Sequence, residues 1–225
     1  FHIIGEKKGA GVIKTMDAAL DDNNVPYFEL SALPANDSIF AGWMGWRLAT
    51  SFNDTTITMN NHRCVVADFA RVTEIREKDD LLTVGGDSAD RYELMNDLDL
   101  TEYKKGTTEP ISFKPLPEFK GIFNGNGFAI RGLYIDEPDA NGVGVFTANS
   151  GEINDLKIIG ARVHGREHVG VIAGSNTGII ANCEIGGQAL GMGKLGGISG
   201  ENSGKQLDNK DKTELIITDK GIAKE

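Results

Sequence analysis

Cysteine is nearly missing from this chain: Cys64 and Cys183 are the only two among 225 residues. Two thiols are too few for a disulfide-stapled scaffold or a thiolate zinc cluster. They fall in segments of different character, which argues against a bridge between them, and their apolar neighbours suit small core residues. Long apolar runs are missing too, and nothing approaches the roughly 18 residues of a membrane span. Positive charge is scarce, since 23 Lys and Arg face 33 Asp and Glu for a net charge of −10. Without a basic stripe the chain has no footprint for a phosphate backbone, which excludes nucleic acid and anionic membrane surfaces as partners. The sequence opens on Phe1 with no charged start and apolar core of a leader, so it reads as a piece or mature fragment of a longer protein. Glycine is plentiful instead: 29 residues, most of them after position 120, favour tight turns and short strands over long helices.

Those glycines are periodic. Asn149-Ser150-Gly151, Asn176-Thr177-Gly178 and Asn202-Ser203-Gly204 repeat one triplet at spacings of 27 and 26 residues. Ahead of each stands a glycine-apolar block: Val143-Gly144-Val145-Phe146, Val169-Gly170-Val171-Ile172 and Leu195-Gly196-Gly197-Ile198, recurring at 26 and 26. A period of this size marks stacked supersecondary units, none of which buries its apolar face alone. In the first unit the apolar runs are Val143 to Phe146, Ile153 to Ile159 and Ala161 to Val163. Coils stacked at the ~4.8 Å strand spacing pair every backbone group with a neighbour and bring identical residues into columns. Asn149, Asn176 and Asn202 are then expected to form a side-chain ladder at a corner. Gly151, Gly178 and Gly204 are expected to supply the turn through a positive φ.

Before residue 74 the pattern is different. Gly11 to Met16, Tyr27 to Ala32, Ile39 to Trp43, Thr55 to Met59 and Cys64 to Phe69 read as short strands separated by polar turns. Leu30-Ser31-Ala32-Leu33-Pro34-Ala35, Phe40-Ala41-Gly42-Trp43, Ile57-Thr58-Met59 and Val65-Val66-Ala67-Asp68-Phe69 follow in the order of a divergent internalin-type B-repeat. About residues 27–70 resemble that family, which implies a small β-grasp-like module of bacterial surface proteins. Met44-Gly45-Trp46 stands where the family has a polar turn. Trp43 and Trp46 fit the core and edge of so small a domain better than a sugar platform. Asn36-Asp37-Ser38 and Asn53-Asp54-Thr55 are glycosylation sequons on loops.

Residues 74–91 are charged and read as a linker, with Leu81 to Val84 as the start of a strand. Tyr92 to Leu100 alternates as one strand, and Phe113 to Phe119, with Pro115 and Pro117, suits an edge or extended loop. Asn96-Asp97-Leu98-Asp99-Leu100, Phe119-Lys120-Gly121-Ile122-Phe123-Asn124-Gly125-Asn126-Gly127 and the later glycine-apolar blocks together resemble the GLUG-repeat solenoids across about residues 92–205. The family's blocks end in Gly, whereas Thr147, Ala173 and Ser199 stand here. The resemblance implies a right-handed β-solenoid of extracellular and surface proteins. The tail, 206–225, breaks the pattern and is expected to be a cap or the start of a next module.

Three motifs invite a chemical reading. His164-Gly165-Arg166-Glu167-His168 spells an inverted zincin signature, but that chemistry needs a helix to aim both histidines at one metal, and Gly165 interrupts it. Gly191-Met192-Gly193-Lys194-Leu195-Gly196 spells a dinucleotide fingerprint without the strand-to-helix context it requires. Asp97 and Asp99, two apart on a strand, would stand about 7 Å from each other as a glycosidase pair does. Asp155, Lys157, Arg162 and His164 could line a lateral face. No set of acid, base and electrostatic stabiliser emerges from them.

The sequence therefore predicts an all-β chain. A small β-grasp-like domain (1–73) and a linker (74–91) lead into a short right-handed parallel β-helix of about 26-residue coils (92–205) and the tail. Its expected role is a non-catalytic stalk, spacer or display surface of a bacterial extracellular protein, with no catalytic residue, cofactor or metal. Expected partners are other modules of the same chain and a host or neighbouring-cell surface protein or glycan. The competing reading is a β-helix that binds or cleaves polysaccharide.

Overall fold

The computed structural model describes residues 3–8, 11–15, 19–20, 26–35, 38–45, 54–58, 63–85 and 91–218. The chain divides into two compact units, Phe1–Thr73 and Glu74–Glu225.

The described residues of the first unit are all strand or turn. Its strands are β1 (Ile3–Lys8), β2 (Gly11–Thr15), β3 (Ala19–Leu20), β4 (Pro26–Pro34), β5 (Ser38–Gly45), β6 (Asp54–Thr58) and β7 (Arg63–Ile75), whose last two residues belong to the second unit. Strand β4 sits at the centre of one sheet, antiparallel to β2, β3 and β6. In the other, β7 pairs parallel with β1 and antiparallel with β5, where a bulge lies between Phe40 and Gly42. Phe69 and Ala32 are buried, and Gly11 lies so close to the Phe69 ring that an added Cβ would approach it to 2.4 Å. Trp43 falls on β5, whereas Trp46 and the asparagines of both sequons lie outside the described residues.

The second unit is a parallel β-solenoid of about four turns. One lane stacks β8 (Arg91–Leu94), β10 (Ile122–Asn124), β15 (Glu152–Asn154), β19 (Ile179–Ala181) and β22 (Lys205–Leu207). The widest lane stacks β9 (Leu98–Asp99), β11 (Ala129–Arg131) and β12 (Tyr134–Asp136), then β16 (Lys157–His164), β20 (Glu184–Gly191) and β23 (Lys210–Ile217). A third pairs β13 (Asn141–Val143) with β17 (Glu167–Val169), and a fourth stacks β14 (Phe146–Asn149), β18 (Ala173–Asn176) and β21 (Ser199–Asn202). All these pairings are parallel, so alternate side chains of every coil meet their counterparts one strand spacing away.

Apolar columns result. Ile130, Ile158 and Ile185 stand in register with 0% exposure each, as do Phe123, Ile153 and Ile180 at 1%, 0% and 0%. At the wide end of the core Phe119 packs against Phe146 with ring centroids 4.9 Å apart, and Phe123 and Tyr92 join them at tilted or edge-on angles. Phe146 then gives way to Ala173 and Ser199 in the next coils, so the core narrows along the stack.

Several expectations are corrected. The 74–91 linker carries helix α1 (Lys78–Leu82), and Ile75, Leu81 and Val84 are buried in the solenoid core. The helix forms where a strand was expected because Asp80 turns back on its own first turn, accepting the N–H groups of Arg76 at 2.9 Å and Glu77 at 3.1 Å. Tyr92 to Leu100 is not one strand: it breaks at Met95–Asp97, and β8 and β9 join different sheets. The break is held by Asn96, whose amide donates to Arg76 O at 3.0 Å and Asp97 O at 2.8 Å. Ile153 to Ile159 breaks likewise at Asp155, which adopts φ 53°. The tail does not leave the pattern at Gln206, because β22 and β23 add a further coil in register with β19 and β20.

The mismatch between the two sequence periods also has a structural cause. Val143 pairs Val169, but Phe146 pairs Ala173 rather than Ile172. The second coil thus carries one additional residue between its glycine block and its asparagine.

Candidate functional site

The asparagines of the repeated triplet lie at the ends of β14, β18 and β21. Asn149 donates from Nδ2 to Asn176 Oδ1 at 2.7 Å, and Asn176 donates to Asn202 Oδ1 at 2.7 Å. Asn149 and Asn176 are each 1% exposed and their amides are satisfied, the Asn149 oxygen by the Gly151 N–H at 3.2 Å rather than within the column. Below them the column begins at Phe119, which bridges Asn149. Two of the three hydroxyls beside the column reach back to the preceding coil, Ser150 Oγ donating to Glu118 at 2.7 Å and Thr177 Oγ1 to Asn149 O at 3.3 Å.

Gly151, Gly178 and Gly204 are required for a different reason from the expected one. None has a positive φ. A Cβ on Gly178 would instead stand 2.0 Å from Gly151 O, and on Gly151 or Gly204 it would meet the coil before at 2.2 Å. They are sites of close backbone approach. The left-handed conformation falls on another column, Asn126, Asp155, Asn182 and Asp208, at φ 50°, 53°, 55° and 51°. Asn and Asp tolerate that region better than other residues with a side chain. The signal was a recurrent Asn or Asp directly after the strand, at Asp155, Asn182 and Asp208, and one residue later at Asn126, hidden because the column alternates between the two residue types.

The acidic candidates are structural in their contacts. Asp97 accepts the Ala129 N–H at 2.8 Å on one oxygen and Arg131 at 3.2 Å on the other. Asp99 accepts the Thr101 N–H at 2.9 Å, and Thr101 holds its carboxyl below the usual carboxylate range. A general acid needs a shift in the other direction. The two histidines of the zincin-like motif do not converge. His164 pairs with Asp136 at 2.8 Å, and His168 with Glu201 at 3.6 Å on the next coil. Among the described residues no group of three or more His, Cys, Asp or Glu could hold a metal ion. The fingerprint-like glycines run from the end of β20 to the loop before β21, with no helix following. Cys183 is buried and free, and desolvation pushes its thiol up to about 11.

A concavity forms where the period is broken. Residues 101–111 leave the coil as a small hairpin: Tyr103 bridges Pro110, and Ile111 N–H donates to Glu102 O at 2.8 Å. The hairpin stands over the bend in the wide lane at Gly132 and Gly160, whose φ values are 68° and 69°. It encloses a cleft of about 200 Å³ between Tyr103 and Ile111 on one side and Tyr134 and Arg162 on the other. Tyr134 and Arg162 are register partners on β12 and β16. Arg162 belongs to the face named from the sequence, while Tyr103 and Tyr134 carried no signal before the hairpin brought them together.

No family model matches the chain. No solved structure matches it. Two curated proteins do so over part of its length. One, named Halomucin, from Haloquadratum walsbyi, is 33% identical over 121 residues, which is 51% of this chain and 1% of that protein. The other, described as a putative Gly-rich membrane protein, from Evansella cellulosilytica, is 33% identical over 102 residues, 42% of this chain and 12% of that protein. The chain therefore corresponds to a small part of each of the two long proteins that it is similar to.

Proposed function

We propose that this chain is a non-catalytic structural module of a bacterial extracellular or cell-surface protein, acting as stalk, spacer or display surface in an adhesin-like array. The observation that carries this reading is the use of the repeated residues. The triplet asparagines bond to each other and the triplet glycines admit neighbouring backbone, so repetition serves coil stacking. Repeat stacks of this kind gain length by adding coils, each contacting only its neighbours. The similarity to part of a protein bearing a mucin's name and part of one described as a membrane protein supports a surface location.

In this reading the first unit is a β-grasp-like B-repeat module and the second a right-handed GLUG-type solenoid. Right-handed crossovers are the general rule for parallel strands. The partners are neighbouring modules of the same chain and a protein or glycan on a facing cell. Immunolabelling of intact cells producing the parent protein tests the location, and surface signal removed by external protease is expected. A reducing-sugar assay on acidic and neutral polysaccharides tests the absence of catalysis. Cleavage that is lost in Asp97→Asn or Asp155→Asn would overturn the module reading in favour of a polysaccharide-active β-helix.

A further inference from the structure

The cleft under the 101–111 hairpin is built in part by residues outside the repeat. We infer that it binds a single sugar ring bearing a carboxylate, as in a uronic acid unit of an acidic polysaccharide. The inference goes beyond the module reading, which does not require a ligand at this place.

Size sets the first limit. At about 200 Å³ the cleft is smaller than the roughly 300–1,000 Å³ of drug-sized pockets, so it takes one ring rather than an extended molecule. Its walls set the second. Tyr103 is 55% exposed and Ile111 41% exposed, although both sit against a folded sheet. An aromatic with an apolar neighbour at the rim of a polar cleft offers a flat surface to the C–H face of a sugar and keeps a hydroxyl for its rim.

Charge sets the third. Each carboxylate around the cleft already has a cation or a donor. Glu102 pairs with Lys78 at 2.6 Å, Glu109 with Lys104 at 2.8 Å, and Asp136 with His164 at 2.8 Å while also accepting the Tyr134 hydroxyl at 3.2 Å. Arg162 differs: among the described residues its guanidinium has no hydrogen bond and no ion pair, although it stands beside Tyr134 in the cleft wall. On a chain of net charge −10, an unpaired arginine in a cleft whose carboxylates already have partners is the group left to meet an anion. A guanidinium fork takes a carboxylate on two parallel N–H bonds. Gly132 and Gly160 leave the bend without side chains, and a Cβ on Gly132 would collide with Thr101 at 2.0 Å. The hairpin can therefore seat only where a glycine stands.

An NMR titration of the full chain with methyl glucuronide, methyl glucoside and sodium acetate tests the proposal. Glucuronide is expected to move the amide signals of Tyr103, Ile111, Gly160 and Arg162 with a Kd on the order of 1 mM, appropriate to one ring. Glucoside should bind several-fold more weakly and acetate hardly at all. Arg162→Gln should cost about tenfold for glucuronide and remove the preference for the acid. Tyr103→Ala, a change at an exposed side chain, should weaken both sugars alike. Arg131→Gln, which removes an arginine of the same sheet outside the cleft, should change neither. Equal binding of glucuronide and glucoside, acetate binding as well as glucuronide, or an acid preference surviving Arg162→Gln would each overturn the proposal. So would an absence of cleft shifts at ligand concentrations well above 1 mM.

Discussion

At the scale of single residues, the two repeated positions of the triplet are held by different forces and should fail differently. Asn176 both accepts and donates within the column, and it is buried. Asn176→Ala strands the Asn149 amide without its acceptor and leaves Asn202 without its donor. Removing one partner of a buried hydrogen bond costs about 1–3 kcal/mol. Asn202 is exposed at the end of the column and loses only one bond, so Asn202→Ala should cost less than half as much; chemical denaturation of the two variants compares them directly. Gly178→Ala acts through sterics. Its methyl group would need the space of the Gly151 carbonyl, 2.0 Å away, and because the contact is backbone to backbone the coils must part. The loss should exceed the roughly 1–3 kcal/mol of ordinary overpacking. Gly160, which meets nothing within 4 Å but has φ 69°, should tolerate Asn better than Val, since only conformation is at stake there.

At the scale of elements, legibility depended on whether a segment's neighbours in sequence were also its neighbours in space. The stacked strands could be read because equivalent residues recur about 26 apart and their apolar positions must coincide. The corners could not. Asp155 divides an apolar run that looks continuous, and Asn96 divides another by bonding to Arg76, twenty residues away. Helix α1 was hidden for the opposite reason: its apolar end reads as strand, and the cue is an aspartate serving two backbone donors before it. The cleft was invisible because its walls come from a hairpin and two different coils.

Cys183 gives these elements a reporter. It lies directly after the Asn182 corner, with its thiol buried against Ile153 O and Ala181 O. Its pKa rises from 9.0 to about 11, chiefly by desolvation. The folded state therefore keeps the proton that the unfolded chain releases. Stability from this group is complete below pH 9 and is lost as pH rises toward about 11. Alkylation at Cys183, followed by peptide mass spectrometry, should be slow at pH 8 in the native chain and fast once the coil is unfolded. Rapid native labelling at that pH would show that the corner opens locally.

At the scale of the whole solenoid, the question is how a stack of parallel strands avoids offering its end to another copy. An exposed flat edge with apolar residues is a template for association. The last described coil carries apolar side chains of this kind, with Leu207, Leu215 and Ile217 at 47%, 48% and 73% exposure. Two of its core columns, however, reach polar residues there, whereas that of Ile135, Val163 and Ala189 runs on to Leu215. Gln206 continues the column of Phe123, Ile153 and Ile180, and Asp211 that of Ile130, Ile158 and Ile185. Gln206 donates to Ser199 at 2.7 Å across the interior of the coil. The Asp211 carboxylate lies over Gly197, where a Cβ would stand 2.0 Å from its oxygen, so the loss of a side chain in that glycine block makes room for the charge. A dry surface cannot form over Asp211 without burying a carboxylate, which is costly unless the group is paired. Replacing both residues, Gln206→Ile and Asp211→Ile, should convert this end into an apolar face continuous with the core. Light scattering after size exclusion should then show concentration-dependent dimers or larger species in the double variant and a smaller particle in the parent chain. If both chains scatter alike, the polar residues do not guard this end, and the exposed strand β23 must be protected by its twist or by its charged face.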